Sequence, residues 1–261
     1  MAWFLLIGLS LPVLPDDRGV KAQAEAEFAE GLRLRDSDYP RSQRCFAAAA
    51  RLYRELQRRG VRNAALFRNL GRSSFLAGDL PGAILAYRQA LQLAPTAGDI
   101  RQELEYLREQ VVFATPGAYA RPPADERPPW LPPLRPSPWL LTTWLVAYSA
   151  GWFCLVRWRQ SARRGFLAGG ALLLIGAILG GYGLLQLDRQ ELRERQSPLA
   201  VVSQDGLRLR RGDAWTYPEV HPPLNRGVEV RVILVRGAWA QVRLSGGEIG
   251  WLPREAILLA E

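Results

Sequence analysis

The 261-residue chain holds two cysteines, one histidine, one methionine and one lysine. Two cysteines cannot build a disulfide framework. Cys45 falls in a helical pattern and Cys154 inside an apolar run, so the sequence gives them no reason to meet. A zinc site takes about four clustered ligands, and two separated cysteines with His221 do not supply one. His221 stands before Pro222 and Pro223 in a turn, a poor place for a general base. Phosphate-cradling glycine loops, a nucleophile beside a base and paired carboxylates in a cleft are also missing. The expectation is a protein with no catalytic centre, no metal, no cofactor and no small-molecule substrate.

Charge of one sign is present but not concentrated. The formal net charge is +9, yet residues 19–115 carry 15 Lys/Arg against 11 Asp/Glu and residues 197–261 carry 8 against 7. Arg157, Arg159, Arg163 and Arg164 supply 4 of the 9 within one short stretch. A nucleic-acid footprint needs a basic stripe interleaved with aromatics, and no soluble segment has one.

What is abundant is uncharged apolar sequence. The run 139–156 has 18 residues and the run 166–187 has 22, neither with a charge. A bilayer core of about 30 Å needs about 20 helical residues, so these predict two transmembrane helices. The arginine-rich loop 157–165 between them predicts a cytoplasmic turn, which puts both flanking regions on the extracytoplasmic side. The apolar stretch within 1–18 reads as a signal peptide or a short anchor.

Residues 64–97 follow the 34-residue tetratricopeptide pattern. Phe67 takes the Trp place, Leu70 and Gly71 the Leu-Gly pair, and Ala83, Tyr87 and Ala90 the second-helix packing positions; Pro95 ends the unit, and only Ser74 departs. Gly71 and Ala83 must be small where two helices cross closely, with Phe67 and Tyr87 filling the space beside them. One such unit cannot bury its own faces, which predicts an all-α repeat domain over about 22–113. Arg68 and Arg72, four apart, with Asn69 between them, are candidates to grip a partner's carboxylate on the concave face; the plainer reading is a solvated helix face. Residues 114–138 carry most of the prolines between the repeats and the first apolar run, which predicts a semi-rigid linker.

After residue 196 the pattern changes to alternation. Leu207 and Leu209 alternate with arginines, and Val228, Val230 and Val232 alternate with Glu229 and Arg231, the period of a half-buried strand. Five short strands in 197–261 predict a small all-β barrel. Trp239 and Val242 are expected in its core, with Gly250 and Trp251 turning the chain into a last strand and Pro253 closing it. Trp215, Tyr217 and Trp251 form a candidate aromatic ligand surface; the alternative is a purely structural Trp251.

The G-x-W-x-x-V element at Gly237–Val242 and the G-W-L-P element at Gly250–Pro253 resemble bacterial SH3-like (SH3b) domains. With the tetratricopeptide line from Phe67 to Pro95 and the apolar hairpin between, the order resembles the BatE-type proteins of bacterial aerotolerance operons. That resemblance implies a multidomain membrane protein: a tetratricopeptide-repeat domain, a two-helix transmembrane hairpin and an SH3-like barrel. It also implies a multi-pass protein of the bacterial cytoplasmic membrane, a non-enzymatic scaffold working with MoxR-type ATPases and membrane von Willebrand factor A proteins. Peptidoglycan binding through the SH3b domain is the alternative.

Overall fold

The computed structural model describes residues 15–114, 138–161, 173, 175, 176, 178, 197–220 and 222–259. Five helices come first: α1 (Pro15–Leu34), α2 (Tyr39–Arg58), α3 (Ala64–Leu76), α4 (Leu80–Leu93) and α5 (Gly98–Glu109). Local chemistry sets three of their starts. Asp38 accepts from the Arg41 amide at α2, Asn63 from Leu66 at α3, and Asp79 from Gly82 at α4. Each cap satisfies an N–H that the first helical turn leaves without a partner. Gly78, at φ 86°, makes the reversal between α3 and α4, a conformation that costs a side chain with Cβ.

The helices pair in order, α1 with α2 and α3 with α4, and α5 lies against α4. Phe67, Leu70, Ala83, Tyr87 and Ala90 are all buried in the α3–α4 layer, and Pro95 follows the end of α4. A Cβ on Gly71 would stand 2.7 Å from the Tyr87 ring, and one on Gly31 would stand 2.7 Å from the Phe46 ring. The same device, a glycine under an aromatic ring, therefore closes both helix pairs.

The C-terminal part is a five-stranded antiparallel sheet of β1 (Leu199–Val202), β2 (Glu229–Arg236), β3 (Trp239–Arg243), β4 (Ile249–Pro253) and β5 (Ile257–Leu259), in the order β4-β3-β2-β1-β5. The sheet is open, which overturns the expected closed SH3-like barrel. Alternating apolar residues report which face is buried, not whether two edges meet. Here α4 packs on β1 and β5, so the sheet buries its side chains against a helix instead of closing on itself. The segment around Leu207 and Leu209, expected as a strand, contributes only isolated bridges, from Leu207 to Leu224 and from Arg210 to Glu219 and Trp251.

The expected transmembrane hairpin is likewise overturned. Helix α6 (Pro138–Ser161) runs for 24 residues, but no helix among the described residues is long and apolar enough to cross a membrane. Lack of charge is not apolarity: Thr142, Trp144, Tyr148, Ser149 and Trp152 interrupt the run, and hydroxyls and amphipathic rings belong at an interface more than in hydrocarbon. The multi-pass placement in a bacterial inner membrane, with both flanking domains outside, falls with the hairpin. Residues 166–187 apart from 173, 175, 176 and 178, the N-terminal stretch before Pro15 and nearly all of the proline-rich linker lie outside the described residues. Along α6, Trp144 stacks on Tyr148 with centroids 5.8 Å apart, and Tyr148 meets Trp152 edge to face at 6.5 Å.

The chain divides into two compact units, Met1–Glu126 with Leu199–Glu261, and Arg127–Pro198. The helical layer and the sheet thus belong to one unit, and their buried residues form one continuous core. Glu229 of β2 joins them: only 4% exposed, it accepts a hydrogen bond from Arg108 Nε at 2.7 Å and lies 3.2 Å from Arg88 Nε. Burial alone would lower the Arg108 pKa, but its hydrogen bond to Glu229 prevails and raises it. Nearby, Asn225 Nδ2 donates to the Val112 carbonyl at 2.8 Å. Gly227, at φ 91°, brings its backbone so close that a Cβ would stand 2.8 Å from Val111.

Candidate functional site

Arg68 and Arg72 rise from successive turns of α3 and do meet a carboxylate, but it belongs to the chain itself. Glu103 of α5 accepts from Arg68 Nη2 and from Arg72 Nη2, both at 2.5 Å. Asp99, one turn earlier, pairs with Arg68 Nη1 at 2.6 Å. Burial pushes the Glu103 pKa up, but hydrogen bonds from Arg68, Arg72 and Tyr87 outweigh it and hold the group at about 2. Asn69 turns elsewhere and is hydrogen-bonded to Tyr53 of α2. The three residues expected to form one peptide grip are therefore split. Two arginines are saturated by α5, and the asparagine braces the next helix.

The expected aromatic surface is split in the same way. Trp215 is 65% exposed and Tyr217 is also exposed, whereas Trp251 is only 7% exposed. Trp251 takes Arg236 over its ring, 5.4 Å from the centroid. Trp239, expected in the core, sits half-buried on the opposite side of β3 from Val242, because residues an odd number apart face opposite ways in a strand. It meets Trp215 edge to face with ring centroids 4.9 Å apart. Arg210 stacks on Trp215 at 5.2 Å and donates from Nη1 to the carbonyls of Trp215 and Tyr217, each at 2.8 Å. That clamp fixes an otherwise irregular segment. Gly250 is buried; a Cβ there would stand 2.9 Å from Leu209, and Pro253 ends β4.

Two concavities among the described residues bear on function. The larger, about 670 Å³, lies between one stripe of α4 and the edge strand β5. Gly82, Leu85, Ala86 and Gln89 supply the helical wall, at the i, i+3, i+4, i+7 spacing that puts side chains on one face, and Ile257 to Leu259 supply the other. Arg54, Arg226 and Arg254 line it against one carboxylate, Asp79. Arg54 is turned to Asp79 at 2.7 Å, and Arg226 approaches Asp205 at 3.6 Å. Arg254 has no ion-pair partner among the described residues. The smaller notch, about 510 Å³, is walled by Trp215, Trp239 and Pro253, and Arg254 and Glu255 line its rim.

Sequence reasoning passed over Arg54, Arg226 and Arg254, because the cleft assembles residues from 54 to 259 and no local spacing announces it. A local signal did exist for Glu103, which follows Asp99 by one helical turn and so shares its face. Among the described residues no group of three or more His, Cys, Asp and Glu is placed to hold a metal ion. Set against family models, characterised proteins and solved structures, the chain matches none.

Proposed function

We propose that this chain is a protein-interaction module whose cleft between α4 and β5 holds a segment of a partner protein. The observation that carries this reading is the cleft itself. It pairs a helical stripe of Gly82, Leu85, Ala86 and Gln89 with the edge of a sheet and is bordered by more positive than negative charge. Edge strands offer unpaired backbone groups that natural proteins either protect or use for pairing. The Arg68–Arg72 face supports the reading by exclusion, since its guanidinium groups already hold Glu103.

A peptide library displayed on phage and selected on the purified chain tests it. Enriched sequences should bind the wild type and lose binding to Leu85→Arg, which puts a long cation into the cleft wall. Failure to enrich any sequence, or enrichment indifferent to Leu85→Arg, removes the cleft from the function. Retention of the chain on purified peptidoglycan, lost in Trp215→Ala, would instead move the function to the indole notch.

A further inference from the structure

We infer that the partner segment is an acidic strand that adds to β5 antiparallel, sets a carboxylate on Arg254 and ends with an apolar side chain in the notch between Trp215 and Trp239. The inference rests on the cleft being the interaction site. It begins with register. Ser203 N–H donates to the Ala256 carbonyl, and Val201 stands opposite Leu258 in the β1–β5 ladder. Bonded and non-bonded pairs alternate in antiparallel sheets. Leu258 therefore turns its N–H and C=O to β1, and Ile257 and Leu259 turn theirs outward. The Ile257 amide is taken by the Arg254 carbonyl. This leaves the Ile257 C=O and both backbone groups of Leu259 on the outer edge. Leu258 and Leu259 are half-buried and line the cleft.

So short an edge cannot hold a peptide by backbone pairing alone, because association must first overcome the loss of translational and rotational freedom. The same edge leads directly to stronger contacts. Arg254 begins the short helical turn that precedes β5 and lines both concavities. A segment running antiparallel to β5 passes Leu259, then Ile257, and arrives at Arg254. A carboxylate there meets a guanidinium that has no ion-pair partner among the described residues, and charge-assisted hydrogen bonds are the stronger kind. The next residue enters the notch beside the edge-to-face indoles. Antiparallel pairing matches the rest of the sheet and is slightly the more stable per residue. The order of the motif follows: strand, then acid, then apolar anchor, from N to C.

The test uses fluorescence anisotropy with the full chain and a labelled, capped peptide of alternating valine and threonine followed by glutamate and leucine. Three changes should each weaken binding about tenfold, a loss of one good contact: reversing the peptide order, replacing its glutamate by glutamine, and N-methylating the amides that would face β5. Arg254→Gln should weaken the glutamate peptide but leave the glutamine peptide unchanged. If reversal and N-methylation have no effect while Leu85→Arg still abolishes binding, strand addition is overturned and the cleft stands. If the peptide does not bind at all while library-selected sequences bind through Leu85, the motif is wrong. If neither binds, the cleft reading falls as well. A concentration-dependent dimer in sedimentation equilibrium, dissolved by Leu259→Pro, would make a second copy the occupant and overturn the inference.

Discussion

Tyr87 lies flat over Gly71, so close that a single added methyl group would stand 2.7 Å from two carbons of its ring. The ring cannot swing aside, because its hydroxyl is hydrogen-bonded to Glu103 and it is almost wholly buried. Gly71→Ala gains helix propensity of about 1 kcal/mol but overpacks a filled core at about 1–3 kcal/mol. A net loss of up to about 2 kcal/mol is expected in urea unfolding. Gly98→Ala is the control. Nothing lies within 4 Å of a Cβ there, and stability should hold or rise by about 0.4–1 kcal/mol.

Glu229→Ala should destabilise the unit by about 1.5–3 kcal/mol, because Arg108 loses a buried charge-assisted hydrogen bond and keeps only Glu105. Hydrogen exchange of the helix amides and of the sheet amides should report coincident unfolding in the wild type. In the variant the sheet should open first. Coincident exchange in both proteins would mean that this carboxylate does not couple the layers.

Acid should loosen α5 through Glu103. Its folded-state pKa of about 2 lies below the ordinary carboxylate value. Its contribution is therefore complete above about pH 4.5 and disappears as pH falls toward 2. With allowance for solvent screening of this partly exposed cluster, the contribution is about 1–2 kcal/mol. Glu103→Gln should be less stable at pH 7 and show a flatter fall in melting temperature between pH 5 and about 2.

The tryptophans of the sheet should separate by role. Trp251→Ala removes a buried indole and should cost about 3–5 kcal/mol. Trp215→Ala should cost only about 1–2 kcal/mol, since it loses the edge-to-face contact with Trp239 and the Arg210 stack but no buried volume. Only the second variant would then be fit for binding measurements. Equal losses in thermal melts would show that Trp215 is a structural residue despite its exposure.

The parts legible in the sequence were those governed by one local spacing. Gly71 and Tyr87 stand 16 residues apart because a helical hairpin returns there, and close crossing demands a residue without a side chain. The facing of Arg68 and Arg72 followed from a four-residue step. Their partner did not, since Glu103 arrives 35 residues after Arg68 on another helix. Alternation revealed strands but not which side would be covered, so Trp239 was expected inside and lies half-buried beside Trp215. It also missed β1, four residues that became the middle of the β2-β1-β5 ladder. In the uncharged run 139–156 the count of charges stood in for transfer free energy, and Thr, Ser and Trp made the two diverge.

The contact between Arg108 and Glu229 spans 121 residues, and that separation has a consequence during synthesis. The helices leave the ribosome long before the strand that neutralises them. At about 5–20 residues per second, the nascent layer waits several seconds with Arg108 paired to Glu105 of its own helix but still lacking Glu229. Until the last strands emerge it is an incomplete, positively charged intermediate. A chain cut short before residue 229 would be held in that condition, a natural substrate for chaperones and proteases.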